Sequence, residues 1–438
     1  MGGAGGARPL LCPRRRASGY CAYCPGWVGR VIAWAGYFMV YDLIGRTTPQ
    51  CEFWVFKTKT DAEAKRTALV ALCGEVRVLG CMSCLLSCGI IAGQRKEIHM
   101  PNIDWKNLGF GFSDVNCHIR YVWKDGKWGE AEFVKDPYIT MHIGASCLHY
   151  GQECFEGMKA FRQKDGKVVI FRPDENGKRM FRTAQRCVMP PVPVEMFIEA
   201  AEKVIKKNLE YVPPYGTGGS LYIRPLLIGT GPQIGVAPAK EYTFMMMVMP
   251  VGAYYKGGLK PVRAVILDDW DRAAPHGMGD VKVGGNYAAS LFAHEKAKHD
   301  GWPVELYLDA KEHKYVEEFS TSNFLGIKAD GTYVTPDSHS VLPSVTNMSL
   351  KQCAADLGWK VECRKVPYEE IKEFAEVAAC GTAVVVTPVW EITRGSEVIK
   401  ISEPDAVGPH LQKLFDTVQG IQYGVLPDPH GWCHEVRV

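Results

Sequence analysis

Residues 279–301 read GDVKVGGNYAASLFAHEKAKHDG, and how this stretch is taken decides how the whole chain is taken. Lys282 stands among Gly279, Val281, Val283, Gly284 and Gly285. A lysine ammonium normally seeks water and is rarely buried without a partner. Here its neighbours are small and mostly apolar, glycine lets another molecule approach the backbone closely, and the pattern predicts a helix following Asn286. Taken alone, the stretch fits an exposed loop lysine as well as a reactive amine. The rest of the chain has to decide between them.

The chain is 438 residues long, 47% of them apolar, which is enough for about two domains with a sizeable core. Charge is uneven. Residues 1–100 carry 13 Lys and Arg against 6 Asp and Glu, and the remainder carries 38 against 42. The body is therefore slightly acidic, which argues against nucleic acid as a partner. The 16 cysteines divide equally between residues 1–100 and the rest. In the body they are scattered singly, as expected of free thiols in a reducing compartment rather than of a disulfide framework.

Residues 1–99 are read as a leader, either disordered or targeting. Residues 1–41 hold five arginines and no acid, the composition of an organelle transit peptide, although Gly and Pro make them poor helix material. The compartment follows from this: mitochondrial or plastid if the segment is a transit peptide, cytoplasmic otherwise. Residues 27–45, WVGRVIAWAGYFMVYDLIG, are apolar enough to consider as a membrane helix, with Arg30 and Asp42 near the ends making them marginal. Two CxxC pairs, Cys21/Cys24 and Cys81/Cys84, are spaced too far apart for a common zinc module, so no metal site is expected.

From residue 100 the texture of a folded domain begins. Residues 193–213 place Phe197, Ala200, Ala201, Val204, Ile205 and Leu209 on one helical face. Residues 220–230 and 241–252 read as buried strands, and the Gly- and Pro-rich stretch at 251–259 as an interdomain connection. Further strands are predicted in VRAVILDD, VELYLDA and FLGIKADGTYVTP, the last turning at Asp330-Gly331, with helices after Ser344 and Tyr368. The expected architecture is α/β (α+β): a small domain over 100–250, a larger one over 260–438, and a cleft between them.

A lysine amine condenses with aldehydes, and pyridoxal phosphate is the commonest cofactor held in that way. That cofactor needs amides at a helix start for its phosphate, an acid at its ring nitrogen, and a donor at its phenolic oxygen. VLPSVTNMS (341–349) offers Ser344 as a cap with the amides of Val345 and Thr346 behind it. CGTAVVVTP (380–388) offers Gly381 and Thr382, and VEEFSTSNF (316–324) offers Glu317 or Glu318, one of them solvated and the other facing the ring.

Five separated motifs, HYGQECFEGMKAFR (149–162), FRPDENGKRMFR (171–182), SLYIRP (220–225), GDVKVGGNYAAS (279–290) and EFSTSNF (318–324), together with LPSVTNMS and GTAVVVTP, resemble the branched-chain amino acid aminotransferases of the type IV pyridoxal-phosphate fold. The resemblance runs from about residue 100 to the C-terminus. It implies that Lys282 is the catalytic and cofactor-anchoring lysine, that Tyr287 bonds the phenolic oxygen, and that Glu318, five residues before Asn323, is the ring-nitrogen acid. It implies a phosphate site of Arg179, Val345, Thr346 and Thr382. The substrate pocket would be lined by Phe110, Tyr150, Phe155, Tyr222, Arg224, Tyr254, Thr321 and Ala383, with Arg224 near a substrate carboxylate.

The implied reaction moves the amino group of L-leucine, L-isoleucine or L-valine to 2-oxoglutarate, reversibly and with ping-pong kinetics, Lys282 carrying the α-proton. A homodimer is implied as well. Some animal members carry a CxxC redox pair after the Gly-Thr-Ala turn. Here Val384, Val385, Val386 and Thr387 stand there, so no redox switch is expected at that place. Rivals of the same fold are a D-amino acid aminotransferase and an aminodeoxychorismate lyase. GTGPQIG (229–235) lacks the spacing of a dinucleotide fingerprint, and the histidines of HEKAKH (294–299) are five apart, which does not make a zincin.

Overall fold

The structure is a computed structural model that describes residues 103–252 and 258–437, with the backbone of three strands nearer the N-terminus. The chain separates into two compact units, 1–99 and 100–438.

In the first unit, β1 (Arg30–Trp34), β2 (Tyr37–Ile44) and β3 (Gln50–Phe56) form an antiparallel sheet in that order. Strands β1 and β2 thus occupy most of residues 27–45, the stretch that is only marginal as a membrane helix. Val31, Ile32, Trp34, Tyr37, Phe38, Val40 and Tyr41 are β-branched or aromatic, and such residues favour extended backbone. Their register runs from Arg30↔Tyr41 to Trp34↔Tyr37. Among the described residues no helix is long and apolar enough to cross a membrane. The two CxxC pairs lie outside the described residues.

The second unit begins with a sheet built from β4 (His118–Lys124), β5 (Lys127–Trp128), β6 (Glu132–Val134), β7 (Glu153–Phe155), β8 (Met158–Arg162), β9 (Val168–Phe171), β10 (Ser220–Gly229) and β11 (Tyr242–Val251). Its order is β9-β8-β10-β11-β4-β5, with β6 on β4, β7 on β10, and the chain's last strand, Cys433–Glu435, on β9. The two predicted buried strands are β10 and β11, paired over ten residues from Ser220↔Val251 to Gly229↔Tyr242.

Three helices accompany this sheet: α1 (Ser146–Tyr150), α2 (Pro173–Arg186) and α3 (Val194–Lys207). α3 buries Phe197, Ala200, Ala201, Val204 and Ile205, the face that the spacing predicts. It stops before Leu209 because Asn208 turns its amide onto the carbonyls of Val204 and Cys117, and a short 3-10 turn follows. Phe197 stacks on Phe244 of β11 at 6.2 Å, both fully buried. Each such side chain stabilises the fold by roughly 1.5–3 kcal/mol.

The second sheet contains β12 (Val262–Ile266), β13 (Val304–Leu308), β14 (Tyr315–Phe319), β15 (Ser322–Lys328), β16 (Tyr333–Pro336), β17 (Val361–Arg364), β18 (Val366–Pro367), β19 (Phe374–Gly381), β20 (Val385–Arg394) and β21 (Glu397–Lys400). Strands β15-β19-β20-β12-β13-β14 are successive neighbours, and β14 also pairs with β15, so six strands close into a ring with no open edge. Phe319, Phe324, Val377 and Ile392 are buried in its core. The helices are α4 (Gly284–His299), α5 (Val345–Asp356) and α6 (Pro409–Gln422). β12 and β13 are parallel, so the chain must cross over between them, and α4 with Lys282 just before it makes that crossover.

Ser344 caps α5 as predicted, accepting the Asn347 amide at 3.2 Å. Gly331, with φ of 83°, turns the predicted hairpin between β15 and β16. Two helix expectations are corrected. α4 starts at Gly284, ahead of Asn286, because Asn286 is used elsewhere: its amide reaches back to the carbonyls of Met278 and Val281 at 2.7 and 3.0 Å. The segment from Tyr368 is a 3-10 turn ending at Glu373, since Phe374 immediately enters β19.

Candidate active site

The loop before α4 is fastened along its length. The Lys282 amide donates to Thr183 Oγ1 at 3.3 Å, and its carbonyl accepts from the Phe155 amide at 3.1 Å. Arg272 donates to the Gly279 carbonyl at 2.9 Å. The lysine side chain is thereby led into the space between the two sheets. Its amine donates to the Tyr287 hydroxyl at 2.6 Å and lies 4.7 Å from the centre of the Phe155 ring. Tyr287 follows Lys282 by five residues, one of them before α4 and the rest in its first turn, which brings the two side chains together. Burial, and then the nearby Arg179 guanidinium, push the Lys282 amine down to about 8. Burial, and then Glu318, push Tyr287 up to about 12.

Glu318 on β14 is buried. Its carboxylate meets Arg272 at 2.6 Å, the Leu342 amide at 3.0 Å and the Asn323 amide group at 2.6 Å. Burial raises its pKa, and Arg272, Leu342 and Asn323 work against that rise. Glu317 is buried too, with Ser338 and Ser340 donating to it. The expectation that one of this pair is solvated is therefore wrong: Glu317 is held inside the protein, with two hydroxyls on its Oε1.

At the other end of the site, Arg179 of α2 forms a buried bidentate pair with Glu156 at 2.6 and 2.7 Å and donates to the Pro343 carbonyl at 2.9 Å. Asn176 supports Glu156 at 2.8 Å. Pro343 leads directly into the start of α5, where Val345 and Thr346 are buried. Asn176, Lys159, Val345, Thr346, Gly381 and Thr382 line one small hollow there. The residues expected at a phosphate are thus gathered from separate elements.

The expected substrate residues form a run. Phe155 meets the Tyr287 ring edge-on at 5.1 Å, the Arg224 guanidinium lies 4.9 Å from the Phe155 ring centre, Arg224 donates to the Tyr222 hydroxyl at 2.9 Å, and Tyr222 meets Phe110 at 5.0 Å. Ala383 accepts a hydrogen bond from Lys159 at 2.7 Å. Thr321 is exposed in the turn between β14 and β15, where the pairing of Asn323 with Cys380 sets it beside the Gly381 turn. Tyr150 is exposed at the end of α1 with its hydroxyl on the Ile234 carbonyl. Tyr254 lies outside the described residues.

Arg272, Glu156, Asn176, Thr183 and Lys159 belong to the site by contact but were not legible as site residues. Glu156 and Lys159 sit inside the FEGMK motif, which is their only signal. Nothing local marks Arg272.

The donor set suits pyridoxal phosphate: an amine beside a phenol, a buried carboxyl group, and amides, hydroxyl and guanidinium at a helix start. The amino-transferase class IV sequence pattern matches residues 153–392. The chain belongs to the class IV aminotransferases. Enzymes of this class use pyridoxal phosphate. The branched-chain-amino-acid aminotransferase of Haemophilus influenzae is 46% identical over 344 residues, covering 77% of this chain and all of that protein. That of Helicobacter pylori is 43% identical over 340 residues, covering 77% of this chain and 99% of its own. Among solved structures, the Escherichia coli branched-chain amino acid aminotransferase shares 28% identity at a TM-score of 0.61, covering 72% of this chain and 99% of its own. The expected α/β fold of type IV holds for this class IV aminotransferase.

Proposed function

We propose that this class IV aminotransferase moves the amino group of L-leucine, L-isoleucine or L-valine reversibly to 2-oxoglutarate, leaving the branched 2-oxo acid and glutamate. One observation carries the reading: beside the Lys282 amine, the aromatic run of Phe155, Tyr222 and Phe110 contains Arg224, tied to the Tyr222 hydroxyl. Aromatic walls take branched apolar side chains. The Arg224–Tyr222 pair takes the distal carboxylate of the second substrate.

In this reading, Lys282 moves the α-proton as general base and then acid, which its lowered basicity favours near neutral pH. Pyridoxal phosphate, when bound, supplies an electron-withdrawing ring. Glu318 holds a proton at the ring nitrogen, Tyr287 donates to the phenolic oxygen, and Arg179, Val345, Thr346 and Thr382 hold the phosphate. Phe155 excludes water from the amine. Residues 100–250 and 260–438 act as the two domains flanking this cleft. The enzyme works as a homodimer, a reading supported by the exposed apolar side chains Tyr138, Ile143, Leu148, Ile234 and Val236.

The test is the visible spectrum of the purified holoenzyme. Bleaching by L-leucine and recovery with 2-oxoglutarate are expected. A yellow protein that ignores leucine but answers a D-amino acid or aminodeoxychorismate would overturn the substrate reading.

A further inference from the structure

Two hydrogen bonds tie the strand that enters the site from the first sheet to the turn that enters it from the second. Thr382 Oγ1 donates to the Gly157 carbonyl at 3.4 Å, and Lys159 Nζ donates to the Ala383 carbonyl at 2.7 Å. These partners are 225 and 224 residues apart in the chain. The turn between β19 and β20 is tightly wound. The Val384 amide bonds the Gly381 carbonyl at 3.3 Å, and the Val386 amide bonds the Val384 carbonyl at 2.9 Å. Between them Val385 has a φ of 66°. A β-branched residue is strongly disfavoured there, because its Cβ crowds the carbonyl, and such a conformation persists where the surroundings hold it.

Lys159 is the side chain placed to hold it. Its amine sits between the sheets, where burial lowers its pKa to about 8, and the partner it reaches is a carbonyl rather than a carboxylate. A charged donor on a carbonyl makes a stronger bond than a neutral donor would.

We infer that Lys159 is a positioning residue, whose ammonium clamps the Ala383 carbonyl and so fixes where the turn presents Thr382 and Ala383 to cofactor and substrate. This rests on the roles given to those two residues under the proposed function. It acts across the cleft, so it also couples the seating of the turn to the seating of β8.

Lys159→Met keeps the length and loses the donor. It is expected to raise KM for L-leucine about tenfold, the scale of one charged hydrogen bond, with kcat changed less than about threefold. It is expected to weaken pyridoxal phosphate retention by a similar factor, read as loss of the visible band on dilution. Lys159→Gln, which can still donate to Ala383, is expected to recover most of the KM. A Met variant with unchanged KM and unchanged cofactor retention overturns the clamp, as does a Gln variant impaired as much as Met. If the Met variant fails to fold, the Gln variant decides: near-parental KM supports the clamp, and a tenfold rise sinks it. If the unaltered enzyme ignores leucine, the substrate reading falls instead, and cofactor retention alone judges Lys159.

Discussion

The Lys282 amine donates to the Tyr287 hydroxyl at 2.6 Å, and the two groups are pushed apart on the pH scale, the lysine down to about 8 and the tyrosine up to about 12. Near neutral pH the phenol therefore stays protonated while the amine is close to losing its proton. One group is set to move a proton and the other to hold one.

The first prediction concerns cofactor uptake. Condensation with an aldehyde needs the neutral amine, so the rate at which apoenzyme gains the visible band with pyridoxal phosphate should rise with pH and level off above about pH 8. An ordinary lysine would keep gaining until above about pH 10. Stopped-flow absorbance across that range decides, and a rate still climbing at about pH 10 would contradict the burial of the amine.

Replacing Lys282 by Met should abolish transamination and yet stabilise the apoenzyme. The sign follows from linkage. The folded pKa lies below the unfolded value, so the unfolded state binds more protons between about pH 8 and about pH 10.5, and stability rises with pH through that window. At about pH 7 the full penalty is present. Because the lysine keeps some exposure, the gain at that pH should be about 1–3 kcal/mol. Urea denaturation of the two apoproteins reads it. A less stable Met variant would show that the lysine contributes to packing more than its charge opposes it.

Glu156→Gln should be costly. Arg179 and Glu156 are both almost wholly buried, and removing one charge of such a pair leaves the other uncompensated, at roughly 3–5 kcal/mol. Cofactor affinity should fall as well, because Arg179 loses the partner that orients it. The control lies on the helix that carries Arg179: Glu175→Gln, which breaks a surface pair with Lys178, should cost under about 1 kcal/mol. Equal midpoints for the two variants in thermal denaturation would refute the distinction.

Glu318→Gln should keep the cofactor bound, since its carboxamide oxygen can still accept from Leu342 or from Asn323, while kcat for leucine falls on the order of a hundredfold or more. Steady-state kinetics beside a cofactor titration separates the two effects. A variant losing cofactor and rate in parallel would make Glu318 an anchor and not a ring-nitrogen acid.

Much of this was readable beforehand where the information is local. The five-residue spacings from Lys282 to Tyr287 and from Glu318 to Asn323 both appear as direct contacts at 2.6 Å. The Ser344 cap and the buried face of α3 are one-turn and few-turn regularities, and both are present. The N-terminal apolar run stayed undecided because hydropathy alone does not separate a helix from strands. Asn286 looked like a helix start because its side chain can cap, but here the loop carbonyls claim it.

By itself the sequence determined local relations, Lys282 with Tyr287, Glu318 with Asn323 and the Ser344 start of α5, because each depends on spacing within one element or one turn, while the roles expected of these residues came from the resemblance. Tertiary structure decided their company. Arg272 reaches Glu318 from a distant loop, Glu156 is matched to Arg179 across a strand and a helix, Lys159 meets Ala383 from the opposite sheet, and six strands close into a ring. Such pairings join charges and carbonyls with no fixed separation along the chain. They exist only once burial has removed water as the competing partner, and that happens when the two sheets pack together.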